Sequence, residues 1–147
     1  MDSIDVQIIN ILQKNSRTSI KQISEKVMLS APSVKERINK MISSGLIREF
    51  TTVLEPKMLN KNLTAFMFLT LKRPEENHKF LEFIQKEGEI LACHYLTGDF
   101  DYMLQIVTSS TQRLEELLSL IKRTQEVAKT RTVIALSTIK EKHSVIP

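Results

Sequence analysis

One cysteine, three glycines and no aromatic residue before Phe50 leave this 147-residue chain few of the groups on which common chemistries depend. With Cys93 alone no internal disulfide can close, and neither a four-cysteine nor a cysteine/histidine zinc site can be assembled within one chain. No phosphate-binding glycine loop, HExxH or GxSxG motif occurs, which removes the commonest signatures of nucleotide, zinc-protease and serine-hydrolase chemistry. No apolar run approaches the roughly 20 residues that a membrane-spanning helix needs. Asp2 and Asp5 stand where a secretory leader would carry Lys or Arg. The expectation is a chain that stays in the reducing cytoplasm, has no membrane partner and needs no metal or other cofactor.

What is present is an ordinary globular composition with a net charge of +4, unevenly spread. Residues 1–60 hold nine Lys/Arg against six Asp/Glu, and residues 61–147 hold twelve against eleven, so the basic excess sits at the front. The aromatic residues crowd the rear instead, from Phe66 and Phe68 to Phe100 and Tyr102. Two domains with different core chemistry are therefore expected. Their junction falls in Glu55 to Asn62, where Pro56 and the polar Asn60, Lys61 and Asn62 interrupt the apolar pattern.

In the front segment Ile4, Ile8, Ile11 and Leu12 recur at helical spacing, and Ser3 can cap that first helix over about residues 4–15. A second, short helix starts at Thr18 or Ser19, with Ser19 and Gln22 able to form a capping box and Ile20, Ile23 and Val27 facing inward. After the break at Met28, Leu29 and Ser30, the last serving as N-cap, a third helix carries Pro32 in its first turn and Gly45 just past its end. At 100° per residue Ala31, Val34, Ile38, Met41 and Ile42 share its inward side. Ser33, Glu36, Arg37 and Lys40 line an adjacent solvent ridge. Two helices joined by a tight turn, the second with a polar N-terminus and a basic exposed stripe, match the way a helix-turn-helix lays its recognition helix in the major groove of double-stranded DNA. There Arg37 and Lys40 would meet phosphates or guanine edges, Ser30 and Ser33 would serve the N-terminal end, and Glu36 would accept from a cytosine amine. The competing reading is a three-helix bundle whose solvated face happens to be basic. Arg48 to Leu54, β-branched and apolar, is expected as a strand that forms a wing or a tether.

From Thr64 onward the pattern reads strand, helix, strand, strand, helix, strand: 64–71, 77–87, 90–97, 102–107, a helix opened by Ser110 or Thr111, and 131–139. Gly98, Asp99, Phe100 and Asp101 make a connection of hairpin length between the middle strands. The order βαββαβ is the ferredoxin-like split unit, so the chain is expected to be α+β, with a winged helix-turn-helix domain over 1–60 and a ferredoxin-like domain over 61–147. Both helices of such a unit cover one face of the sheet. The first strand is nevertheless apolar in both parities, Phe66 and Phe68 on one and Met67, Leu69 and Leu71 on the other, so a symmetric copy of the chain is the simplest second cover. A homodimer would also present two recognition helices to two half-sites.

A front helix-turn-helix followed by this domain and its glycine/aspartate hairpin resembles the Lrp/AsnC family of regulators. The likeness covers nearly the whole chain: Ile4, Asp5, Ile9 and Leu12; Leu29, Ser30, Val34, Arg37 and Ile38; Gly45, Leu46 and Ile47; and Thr97, Gly98, Asp99, Asp101, Tyr102 and Leu104. It implies a transcriptional regulator whose dimers assemble further, up to octamers, and which binds an amino acid or related metabolite between dimers. Carried onto this sequence, the effector site is Thr97, Gly98, Asp99 and Asp101, completed by Thr130 and Thr132. A ligand with ammonium and carboxylate groups needs acceptors such as Asp99 or Asp101 and free amides such as those near Gly98; alternatively Asp101 only caps the turn. The family's turn has glycine where Met28 stands, and a left-handed backbone there costs a side-chain-bearing residue about 1–2 kcal/mol. Where the family has a Pro-Gly turn before the last strand, Thr124, Gln125 and Glu126 stand here, which implies a longer or more helical junction. An enzyme finds no support from Cys93 and His94, which as strand neighbours point to opposite faces. The remaining alternatives are an effector-independent regulator and a protein-interaction adaptor with a degenerate helix-turn-helix.

Overall fold

The computed structural model describes residues 1–124, 126–142 and 144–147. It divides into two compact units, one formed by 1–53 with 140–147 and the other by 54–139. The division thus falls seven residues ahead of the 60/61 boundary read from the sequence. The last eight positions belong with the helical unit, where Gln13 Nε2 donates to Ser144 Oγ at 2.8 Å and to the Val145 carbonyl at 2.7 Å.

The helical unit contains α1 (Ser3–Lys14), α2 (Ile20–Val27) and α3 (Ala31–Ser43). Each begins with a capping side chain. Asp2, rather than Ser3, caps α1: its carboxylate accepts from the Ile4 and Asp5 amides while Asp5 returns a bond to the Asp2 amide, a reciprocal box that a serine one position later cannot form. Ser19 and Gln22 form the expected box on α2. Ser30 caps α3, with Pro32 in the first turn, where its missing N–H is no loss. Between α2 and α3 Met28 turns the chain in the left-handed region, φ 56° and ψ 39°. The three helices bury Ile8, Ile9, Ile23, Val27, Val34, Ile38 and Met41 against one another. Two residues expected on the inward side of α3 differ: Ala31 is exposed and Ile42 is 44% exposed, because the buried axis runs through Val34, Ile38 and Met41 and they lie at its margin. Residues 48–55, where a strand was expected over Arg48 to Leu54, carry none, and among the described residues the strands all lie in the second unit and pair only with one another.

The second unit opens with a short 3-10 turn (Pro56–Leu59) and continues as β1 (Leu63–Leu71), α4 (His78–Lys86), β2 (Ile90–Tyr95), β3 (Tyr102–Thr108), α5 (Thr111–Thr124) and β4 (Val127–Ala135). All pairs are antiparallel, in the order β2-β3-β1-β4, which is the ferredoxin-like arrangement anticipated from the pattern. Ala65, Met67, Leu69 and Leu71 of β1 face α4 and α5, where they pack with Phe80, Leu104, Ile106, Leu117 and Ile121. The opposite parity leaves Phe66 and Phe68 half-buried on the face away from α4 and α5. Register places Val133 and Gln105 beside Phe66, and Arg131 and Met103 beside Phe68, on that same open face.

The last strand lies four residues earlier than the sequence pattern indicated. It ends at Ala135 because its partner β1 ends opposite, with Thr64 paired to Ala135, so the apolar Leu136 and Ile139 project freely at 99% and 92% exposure. In the junction before it, expected to be longer or more helical, α5 runs to Thr124 and Glu126 takes a positive φ of 48°, while Gln125 lies outside the described residues, as does His143 near the end of the chain. Among the described residues, no helix is long and apolar enough to cross a membrane.

Candidate functional site

The caps that define α3 also determine what its N-terminal end offers. Ser30 Oγ accepts from the Ser33 amide at 3.3 Å, and the two hydroxyls are hydrogen-bonded to each other at 2.8 Å, so both serines are engaged in building the helix end. One turn further on, Glu36 and Lys40 are exposed, and among the described residues neither forms an ion pair. These two side chains form the free charged part of the ridge. Asn39 and Ser43, also exposed and polar, extend it; they lie opposite the Val34, Ile38 and Met41 side, and an axis drawn through those three alone would have placed them there.

Arg37 stands apart from that ridge. Its Nη1 donates at 2.7 Å to Asp2 Oδ2 and at 2.7 Å to Asp5 Oδ1, which ties α3 to the first turn of α1. The Asp2 carboxyl lies below the ordinary aspartate range, first because the Asp5 amide donates to it and then because Arg37 does. Asp5 is lowered likewise, by the Asp2 amide and then by Arg37. Bonds from the same two carboxylates raise Arg37. A cleft of about 750 Å³ runs along these groups, with Asp2, Asp5, Ser33, Glu36, Arg37 and Lys40 on its walls.

In the second unit the β2–β3 hairpin is built around Asp101. Its amide donates to the Leu69 carbonyl at 3.0 Å, its carbonyl accepts from the Leu96 amide at 2.7 Å, and its carboxylate Oδ2 accepts from the Leu71 amide at 3.2 Å. Asp101 therefore clips the hairpin to the end of β1. Gly98 at φ 114° occupies a conformation that a side chain would strain. Thr97, Gly98 and Asp99 are exposed at the tip, and the Asp99 carboxylate has no partner among the described residues, although its carbonyl receives the Thr70 hydroxyl at 3.5 Å. Phe100 folds back onto Phe68 with ring centroids 5.9 Å apart, and Lys129 Nζ lies 4.6 Å from the Phe100 centroid.

Thr130 and Thr132 pair with Leu69 and Met67, half-buried on the helix-covered parity. With β1 standing between β3 and β4, Thr130 is at the hairpin end of the sheet but about two strand spacings, roughly 10 Å, from the hairpin strands. Thr132 lies farther along. A smaller cleft of about 150 Å³ at this end is bounded by Leu71, Arg73, Glu76, His78, Phe80 and Glu126, and no hairpin residue lines it.

A polar centre without a sequence signature lies at the opposite end of the sheet. Glu89 Oε1 accepts from Lys61 Nζ and Thr108 Oγ1, each at 2.8 Å, and Oε2 accepts from Arg113 Nε at 2.7 Å. Burial pushes the Glu89 carboxyl up, but these three donors outweigh it and hold the group below its ordinary range. No periodicity links residues 61, 89, 108 and 113, so only the fold could bring them together. The Cys93 thiol, packed toward the core, is pushed up by burial, the reverse of what a nucleophile needs, and His94 on the opposite parity is exposed. Among the described residues no group of His, Cys, Asp or Glu is arranged to hold a metal ion.

A capped helix-turn-helix with a free charged ridge, followed by a ferredoxin-like domain with a clipped glycine hairpin, defines a DNA-binding regulator with a separate sensing domain. Residues 1–48 match the model of winged helix-turn-helix DNA-binding domains, and residues 64–145 match that of the Lrp/AsnC ligand binding domain. The chain belongs to the Lrp/AsnC family of transcriptional regulators. It is 33% identical over 149 residues to the leucine-responsive regulatory protein of Escherichia coli, covering 99% of this chain and 91% of that one. Against the HTH-type transcriptional regulator FL11 of Pyrococcus furiosus the identity is 32% over 141 residues, covering 96% and 93%. Among solved structures, a transcriptional regulator of Neisseria meningitidis in complex with L-methionine superposes with a TM-score of 0.90 at 26% identity, covering 99% of this chain and 96% of that one. LrpC of Bacillus subtilis does so with a TM-score of 0.83 at 33% identity, covering 97% and 99%. Membership places the chain with non-catalytic regulators.

Proposed function

We propose that this protein works in the cytoplasm as a homodimer that binds operator DNA through two copies of α3 and changes its DNA affinity or assembly when an amino acid binds at the β2–β3 hairpin. The observation that carries the DNA half is the ridge of α3: capped by Ser30, flanked by Ser33, and presenting Glu36 and Lys40, to which no other described residue is ion-paired. Lys40 supplies phosphate or guanine contact and Glu36 accepts from an exposed cytosine amine. The effector half rests on Thr97, Gly98 and Asp99, which are exposed on a hairpin that Asp101 holds in place, and on the L-methionine complex of the Neisseria relative. Asp99 meets the ligand ammonium and the tip amides its carboxylate, while Thr130 and Thr132 take part where a second dimer closes the site and larger assemblies, up to octamers, form.

The open sheet face around Phe66, Phe68 and Val133 supports self-pairing, because a sheet apolar on both sides needs a second cover. The test combines three measurements on the full chain. Anisotropy titrations on a duplex selected from a random pool should show affinity falling steeply with salt, about 0.9 in log–log slope per phosphate contacted. Light scattering should give a dimer or a multiple of it. A panel of amino acids should contain at least one that raises the melting temperature, and Asp99→Ala should lose that shift. A panel without any shift would instead favour an effector-independent regulator, and a wild type that selects no duplex would leave the adaptor.

A further inference from the structure

We infer that Arg37, the most centrally placed cation of the recognition helix, does not touch DNA but sets the roll of α3, so that Glu36 and Lys40 face the groove. This rests on the DNA-binding function proposed above. Three observations point the same way. Nη1 is fully committed, with two carboxylate oxygens at 2.7 Å, and the side chain is only 32% exposed. Arg37, Asp2 and Asp5 together carry one net negative charge, while Glu36 and Lys40 on the same cleft wall offset each other, so the guanidinium's own charge is more than cancelled by the two carboxylates it binds. On the helix wheel Arg37 lies at the margin between the buried side of Val34, Ile38 and Met41 and the free ridge, the place from which a tether resists rotation of α3 about its own axis.

The anchor is itself rigid. Asp2 and Asp5 are not loose surface acids: each carboxylate also accepts backbone amides in the capping box of α1. Arg37 therefore holds a pair of oxygens already fixed in space, and α3 takes its orientation from the first turn of α1. Apolar contacts of Val34 and Ile38 tolerate small rotations, whereas two charge-assisted bonds to one nitrogen do not.

The experiment is a double-mutant cycle of Arg37→Met and Asp5→Ala, read on the selected duplex under conditions where circular dichroism shows every variant folded. Asp5→Ala leaves the Asp2 cap in place. The expected result is about tenfold weaker binding for Arg37→Met, several-fold weaker binding for Asp5→Ala, and a double variant no worse than Arg37→Met, because both changes remove one interaction. The log–log salt slope of Arg37→Met should equal that of wild type, and discrimination against a scrambled duplex should fall. Direct contact with DNA predicts the reverse: Asp5→Ala binds as well as or better than wild type, and Arg37→Met lowers the slope by about 1. A purely stabilising role predicts a lower melting temperature with unchanged affinity while folded. Either result overturns the inference, and should Arg37→Met not fold, the direction of change in Asp5→Ala decides alone. Wild type that selects no duplex would remove the DNA-binding function itself, an outcome distinct from these.

Discussion

Glu89 sits at the start of the β2 edge with Lys61, Thr108 and Arg113 all donating to its carboxylate, and its side chain is 12% exposed. Removing its charge takes the ion-pair partner from Lys61 and leaves Arg113 only Glu116, and both cations are 40% exposed, so water offsets part of the loss. Glu89→Gln should therefore cost about 2 kcal/mol in urea unfolding, below the 3–5 kcal/mol of a fully buried pair. The pH dependence has a definite sign. A folded-state pKa below the ordinary 4.5 means that the contribution is fully present above that value and disappears as pH falls through the lower folded one. Acid titration of wild type should show this loss below about pH 4.5, and Glu89→Gln should lose correspondingly less. Arg37 shows what sequence can and cannot reveal at this scale. Its place on an exposed-side stripe was legible from spacing; its bonds to Asp2 and Asp5 were not, since they depend on how α1 crosses α3.

Turns carry the local strain. Met28 occupies the left-handed region at φ 56° with its side chain 88% exposed, so it gains nothing from burial to offset the conformation. Met28→Gly should raise stability by about 0.5–1 kcal/mol, the relief of left-handed strain less the extra chain entropy that glycine loses on folding. Thermal denaturation would register this as a rise of a few degrees, and a fall would show that the Met28 side chain makes an interaction of its own. Gly98 is the converse case. A Cβ there would meet no atom within 4 Å, so Gly98→Ala carries only backbone strain at φ 114°, about 1–3 kcal/mol, and should loosen the hairpin without any clash. Most elements were legible because caps and punctuation surround them: Ser19 with Gln22, Ser30 with Pro32, Gly45, and Gly98. The strand expected over Arg48 to Leu54 and the late placement of β4 were misread for one reason. Strand propensity reports that a segment fits a sheet, not that a partner strand lies beside it.

At the level of the whole molecule the proposed self-pairing turns on the open sheet face. It combines Phe66, Phe68, Met103 and Val133 with Lys129 and Arg131, and the strand residues that share this parity include no Asp or Glu. Phe66→Asp places a charge at the centre of the proposed dimer contact, while the helix-covered core on the other parity is left untouched. Light scattering should report a single chain with a retained circular-dichroism spectrum, and DNA affinity should fall by orders of magnitude as bivalency is lost. A variant that remained dimeric would move the contact elsewhere, to the exposed Leu54, Met58 or Leu136, for example. The two-sided apolar character of β1 was already visible in the alternation of Phe66, Met67, Phe68 and Leu69. Which parity the helices leave open followed only from their packing.

By itself the sequence determined the helices of the front unit, the βαββαβ order and the hairpin, because each rests on interactions within a few residues: a cap, a periodic stripe, or a glycine in a turn. Tertiary structure alone decided that Arg37 is bound to α1, that Asp101 is spent on the β1 backbone, that Glu89 gathers three distant donors, and where β4 begins and ends. Those outcomes depend on groups 19 to 35 residues apart in most cases, and for such pairs the chain specifies chemistry but folding specifies distance.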